Sequence, residues 1–185
     1  MVPVFVVLMS IEHFSTYIAG YLVFTVASIT DYFDGKIARE QNLITDFGKL
    51  MDPLADKVLM AAAFVMAMQV PSLNIPAWTI VAILAREFLV TGARSMAAPD
   101  GKVIAANQWG KLKTVFQMVY IFIFLFLAIA VWAIEYWLPQ FLDQYTAMLH
   151  WASLVGIIIV SLLTVYTGIQ FAMSNWKSLN LSSQQ

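Results

Sequence analysis

The chain has 185 residues and no cysteine, and its ten Lys and Arg against eleven Asp and Glu leave a net charge of −1. Apolar residues make up 61% of it and charged residues 11%, with a mean hydropathy of +0.79. That balance lies outside the usual soluble range and inside the polytopic membrane class, and it excludes a disulfide framework and thiolate chemistry.

In chain order, residues 1–10 are apolar but cannot span a bilayer, which takes about 20 residues. They lack the positive start and small-residue cleavage site of a signal peptide, so they read as the outer half of a first span. Five longer segments follow, near 16–35, 48–69, 78–97, 109–134 and 148–174, each long enough to cross a hydrocarbon core. Pro71 and Pro76 bracket a short turn, and residues 97–102 form a polar loop. The expected fold is an all-α polytopic membrane protein, a single membrane-embedded domain over residues 1–185 with no internal repeat. The polar tail over residues 178–185 is expected to fray.

If the spans alternate in direction, one side of the membrane holds 36–47, 98–108 and 175–185, and the other holds 11–15, 70–77 and 135–147. All ten Lys and Arg fall on the first side or within the spans, and none falls on the second side. The bias of basic residues toward the cytoplasm makes that first side cytoplasmic. Trp78, Trp109, Trp132, Trp137, Trp151 and Trp176 lie close to the ends of the expected spans, where indoles prefer the interface.

Charge inside apolar sequence points to function, because a buried charge without a partner is expensive. Asp31, Asp34, Gly35 and Ala38 recur at steps of three and four residues and share one face of a helix. Gly48, Asp52 and Asp56 step along one face of the next segment. A short connection makes these two segments antiparallel neighbours, so the four carboxylates can converge near the cytoplasmic helix ends. Four hard oxygen donors suit Mg2+ or Mn2+ with a phosphate oxygen in an open position. Gly35 and Gly48 leave room beside the acids for a bulky ligand. The plainer alternative is structural ion pairing with Lys36, Arg39, Lys49 and Lys57, with Pro53 as a simple kink.

A second constellation is basic. Arg86 and Arg94 lie eight residues apart, at the middle and toward the inner end of their segment, and Lys111 and Lys113 open the next one. Together they suit a phosphomonoester, with arginine giving bidentate donors and lysine a point charge. The alternative for Lys111 and Lys113 is snorkelling of long side chains to the membrane surface. Glu87 reads as a counter-ion, or as a residue that orients Arg86, and not as a catalytic group. His13 and His150 are far apart on the non-cytoplasmic side and read as interfacial packing rather than metal ligands.

The run Asp31-x2-Asp34-Gly35-x2-Ala38-Arg39-x8-Gly48-x3-Asp52-x3-Asp56 resembles the signature of the CDP-alcohol phosphotransferase family, with all eight fixed positions in place. The resemblance implies a fold of six transmembrane helices, a homodimer, and transfer of a phosphatidyl or related group from a CDP-linked donor to an alcohol with release of CMP. It implies that Asp31, Asp34, Asp52 and Asp56 hold the metal ions, Mg2+ or Mn2+, and that Asp56 is also the general base for the acceptor hydroxyl. Gly35, Ala38, Arg39 and Gly48 would line the CDP pocket. Residues 85–94 and 110–114 are similar to the subgroup whose donor is CDP-diacylglycerol and whose acceptor is sn-glycerol 3-phosphate, with Arg86, Arg94, Lys111 and Lys113 on the acceptor phosphate. The family's first helix is complete and follows an amphipathic segment, so this chain is expected to start inside that helix. The setting implied is the cell membrane, multi-pass, with the active site facing the cytoplasm.

Two other readings stay open. A sister transferase would use inositol phosphate, serine or another alcohol as acceptor. A divalent-cation transporter would use the same acids, but it should place them nearer mid-membrane on a two-sided path, away from repelling cations.

Overall fold

The computed structural model describes residues 1–40, 46–97 and 108–180, and within them the side chains of 1–31, 33, 57–70, 72–94, 112–141 and 145–175. Six α-helices account for nearly all of it: α1 Val2–Ser10, α2 Phe14–Glu40, α3 Asp46–Ala67, α4 Ala77–Ala97, α5 Gln108–Trp137 and α6 Leu142–Asn180. Two 3-10 turns, Pro71–Leu73 and Pro139–Phe141, break the chain before α4 and α6. No strand occurs among the described residues.

Each expected segment has its helix; α2, α4, α5 and α6 overrun the apolar stretches that marked them, and α3, expected over 48–69, starts and ends two residues earlier. Residues 148–174 were expected as a span, and the helix over them, α6, runs from Leu142 to Asn180. Helical hydrogen bonding has no reason to stop where hydrophobicity does, so hydropathy marks the apolar segment and not the helix end. The stretch 1–10 forms the nine-residue α1, with proline in its first turn, where no backbone donor is lost.

The helices divide between two compact units. The first comprises residues 1–74 and 121–153. There α1 packs on α2 and α3, burying Phe5 and Met9 one helical turn apart. Phe24 meets Phe5 at 5.7 Å and Phe122 at 5.2 Å between ring centroids, and Tyr17 stacks at a tilt on Trp132 at 5.8 Å. Hydroxyls on α2 are satisfied by their own helix, with Thr25 donating to the Tyr21 carbonyl and Ser28 to that of Phe24. His13 starts α2, its carbonyl accepting the Tyr17 N–H and its Nδ1 accepting the Ser15 N–H. His150 shares a 2.9 Å hydrogen bond with the Leu73 carbonyl at the 3-10 turn, which ends at Asn74 in the left-handed region with φ of 40°. Both histidines therefore have local backbone partners.

The second unit comprises residues 75–120 and 154–185. Ile80, Ile83 and Val90 of α4, Tyr120 of α5, and Ile157 and Val160 of α6 form its apolar core. On α6, Leu162, Tyr166, Ile169 and Met173 recur at steps of four, three and four, and each is more than half exposed. An uninterrupted outward apolar stripe of that length is a surface for lipid, not for water.

Two helical stretches are long and apolar enough to cross a membrane, Leu112–Trp137 and Tyr145–Asn175. Among the described residues the other helices do not meet that measure. The reason is visible on α4, where Arg86, Glu87 and Arg94 interrupt 21 otherwise mostly apolar residues.

Candidate functional site

The carboxylates expected to hold metal sit on α2 and α3, which pack together in the first unit. Asp31, Asp34, Gly35, Ala38 and Arg39 occupy the C-terminal half of α2, and Gly48, Asp52 and Asp56 the N-terminal half of α3. A helix rises about 1.5 Å per residue, so Asp31 lies about 4.5 Å from Asp34 along its axis, and Asp52 about 6 Å from Asp56. The Asp31 side chain is exposed. The side chains of Asp34, Gly35, Ala38, Arg39, Gly48, Asp52 and Asp56 lie outside the described residues, as does the link 41–45. Among the described residues no cluster of three metal-ligating side chains occurs. What the helices fix is the register: the i, i+3 and i, i+4 spacings that put acids on one face are carried by helical backbone. The donor chemistry, carboxylate oxygen alone, fits a hard divalent cation.

The basic constellation is described in more detail, and it lies in the second unit. Arg86 and Arg94 stand on α4 and Lys113 on α5. The Lys111 side chain is outside the described residues. Arg86 and Lys113 are brought together by Glu87. Its carboxylate accepts from Arg86 Nη1 at 3.4 Å and pairs with the Lys113 ammonium. Glu87 is thus the counter-ion of two cations from two helices.

Lys113 does not snorkel. Its side chain is 4% exposed, and its ammonium also donates to Gln117 Oε1 at 3.2 Å, one helical turn along α5. The Gln117 amide then donates to Thr164 Oγ1 of α6 at 3.1 Å. Thr164 is fully buried, and its carbonyl accepts the Thr167 hydroxyl at 2.9 Å. A polar chain therefore crosses from α4 through α5 to α6 inside an apolar unit.

Arg86 borders an open cleft of about 440 Å3 between α4 and α6. Its walls are apolar, with Ala82, Ala85 and Leu89 on one side and Val165, Ile169 and Phe171 on the other. The Arg86 stem runs under Gly168, where an added Cβ would lie 2.8 Å from Arg86 Cγ. The Arg94 guanidinium sits 5.3 Å from the centre of the Phe171 ring, a cation–π contact. Both arginines leave Nε buried and without a hydrogen-bond partner. A buried charged donor left unpaired is destabilising by about 1–3 kcal/mol or more, so these atoms favour an incoming anion.

Chemically, the described residues of the second unit hold three cations, Arg86, Arg94 and Lys113, against one carboxylate, Glu87, an excess of positive charge beside apolar walls. Arginine forks with free donors suit the tetrahedral oxygens of a phosphate. Sequence reading found Arg86, Arg94, Lys113 and Glu87, since each is a charge in apolar surroundings. It missed Gln117, Thr164 and Gly168. Only Gln117 carried a signal, its four-residue step from Lys113.

Comparison with known proteins places the chain in a family. A family model for CDP-alcohol phosphatidyltransferases matches residues 1–159, which include every acid and cation named above. The chain is 36% identical over 167 residues to the CDP-diacylglycerol–glycerol-3-phosphate 3-phosphatidyltransferase of Bacillus subtilis, covering 90% of this chain and 78% of that one. It is 31% identical over 176 residues to the protein of the same name from Salmonella paratyphi A, covering 92% and 86%. With that of Rickettsia typhi it shares 42% identity over 117 residues, covering 63% of this chain and 65% of the relative, just under two thirds of its length. The motif on α2 and α3, the extent of the family match and these identities together mean that the chain belongs to the CDP-alcohol phosphatidyltransferase family.

Proposed function

We propose that this protein transfers the phosphatidyl group of CDP-diacylglycerol to sn-glycerol 3-phosphate, yielding phosphatidylglycerophosphate and CMP in phospholipid biosynthesis. The observation that carries the reading is the basic cluster of Arg86, Arg94 and Lys113, which provides for an acceptor that already bears a phosphate. Relatives that cover most of the chain are named for this reaction.

In this reading Asp31, Asp34, Asp52 and Asp56 hold Mg2+ or Mn2+. The bound cation supplies charge neutralisation on the pyrophosphate. Gly35, Ala38, Arg39 and Gly48 border the CDP moiety. Asp56 takes the proton from the acceptor hydroxyl as its oxygen bonds to the phosphorus that carries diacylglycerol. The phosphoanhydride bond to CMP breaks, and CMP leaves with the electron pair. Arg86, Arg94, Lys111 and Lys113 hold the acceptor phosphate and so fix the hydroxyl in line, a positioning effect of the kind that dominates phosphoryl transfer. The chain works as one membrane domain of the six-helix family type, multi-pass in the cell membrane, with the acids toward the cytoplasm and a second copy as partner.

The test is CMP release from CDP-diacylglycerol by purified protein in mixed micelles. Release is expected to require both sn-glycerol 3-phosphate and Mg2+ or Mn2+, to stop on chelation, and to stop in Asp56→Asn although CDP-diacylglycerol still binds. Release with serine or inositol phosphate and not with glycerol phosphate would transfer the assignment to a sister reaction. Near-normal turnover by Asp56→Asn would remove the general base.

A further inference from the structure

The polar chain that starts at Lys113 does more than join helices. We propose that Glu87, Gln117 and Thr164 are positioning residues that hold the Lys113 ammonium, and through Glu87 the Arg86 guanidinium, in place for the acceptor phosphate. This rests on the reading of those cations as the acceptor site.

The argument begins with the lysine. A four-carbon stem with a point charge at its end samples many rotamers, and holding it still costs up to about 2 kcal/mol of side-chain entropy. Near a membrane surface its default is to extend toward water. Here the ammonium is instead turned inward, 4% exposed, between a carboxylate on α4 and an amide on its own helix. The amide must present oxygen, not nitrogen, to the ammonium. The ammonium, which only donates, sets that orientation, and the other end of the amide is anchored where Nε2 donates to the fully buried Thr164 Oγ1 at 3.1 Å. Thr164 thus aligns Gln117, and Gln117 with Glu87 aligns Lys113.

The charge balance separates this arrangement from a structural bridge. A polar contact between apolar helices needs only neutral partners, as the Gln117–Thr164 pair already shows. Adding Arg86 and Lys113 around one carboxylate leaves one more positive than negative charge in this trio. The Arg86 side chain is 10% exposed, and its Nε has no partner. A carboxylate shared between two cations lowers their mutual repulsion without neutralising both, which keeps them close enough to act on one anion. A network built only for stability would satisfy its buried donors; this one leaves Arg86 Nε over.

The experiment compares steady-state kinetics and thermal stability of the purified full chain carrying Thr164→Val, Thr164→Ser or Lys113→Met. Valine keeps the shape of threonine and removes the acceptor of the Gln117 hydrogen bond; serine keeps that acceptor. Thr164→Val is expected to raise KM for sn-glycerol 3-phosphate about three- to tenfold, the worth of one buried hydrogen bond, with KM for CDP-diacylglycerol unchanged. Thr164→Ser should return it to within about twofold of the parent, and Lys113→Met should raise it further than Thr164→Val. If Thr164→Val leaves the acceptor KM alone while Lys113→Met raises it, the positioning role is overturned and the acceptor site stands. If Thr164→Val lowers Tm and moves both KM values alike, the bridge is structural and the proposal fails. If Lys113→Met itself leaves the acceptor KM unchanged, the reading of the cations fails, and the positioning role with it.

Discussion

At the scale of single residues, the basic site is shaped as much by a missing side chain as by the charged ones. Gly168 lets the Arg86 stem pass directly beneath α6, and a Cβ there would come within 2.8 Å of Cγ. Cγ is not the mobile tip of the side chain, so the whole guanidinium would have to shift. Gly168→Ala is therefore expected to raise KM for sn-glycerol 3-phosphate several-fold at unchanged KM for CDP-diacylglycerol. Gly92→Ala is the matched control: it sits on α4, exposed, with nothing within 4 Å of the added Cβ. It should leave both constants alone and stabilise the helix by up to about 1 kcal/mol. An equal effect of the two substitutions would show that helix propensity, and not displacement of Arg86, is being measured. The contrast also marks what sequence can show. Arg86 and Lys113 declare themselves as charges in apolar sequence, whereas Gly168 and Thr164 act through partners 82 and 47 or more positions away, fixed by helix rotation alone.

At the scale of helices, close approach is again where the sequence is silent. Residues 109–134 and 148–174 read as apolar segments, and α5 and α6 duly cover them. Nothing in their hydropathy says which faces meet. Within the second unit the answer is Gly156 on α6 against Tyr120 on α5, where an added Cβ would stand 2.8 Å from Cε2 of the ring. An aromatic ring cannot bend aside as a methionine can, and Tyr120 is buried. Gly156→Ala should therefore destabilise the fold by about 1–3 kcal/mol, as overpacking of a filled core does. Gly20→Ala meets the Met9 sulfur at 2.9 Å, and that flexible chain can yield, so its penalty should be smaller. Thermal unfolding in detergent, followed by tryptophan emission, ranks the two. A Tm for Gly156→Ala at or above that of Gly20→Ala would contradict the packing account.

At the scale of the whole molecule, the legible feature is the asymmetry of charge. Residues 11–15, 70–77 and 135–147 contain no Lys or Arg, while nine of the ten lie in or toward the connections of the opposite side and Arg86 lies mid-span. Inserting a helical membrane protein with its basic ends outward opposes both the translocation machinery and the membrane potential, which is worth about 2.3 kcal/mol per charge per 100 mV. The phosphorylated, water-soluble acceptor must also be reached from the side where the basic site opens. Topology and chemistry thus make one joint demand, that the basic connections face the cytoplasm. The absence of cysteine makes it directly measurable, since a single introduced thiol is the only one in the chain. Gln140→Cys lies at an exposed position in the connection without basic residues, and Ser183→Cys lies in the tail expected on the basic side. A membrane-impermeant maleimide should label the cysteine at 140 in intact cells and the one at 183 only after permeabilisation. Labelling of position 183 in intact cells would invert the chain, put Arg86, Arg94 and Lys113 toward the outside, and leave a cytosolic glycerol phosphate with no route to them.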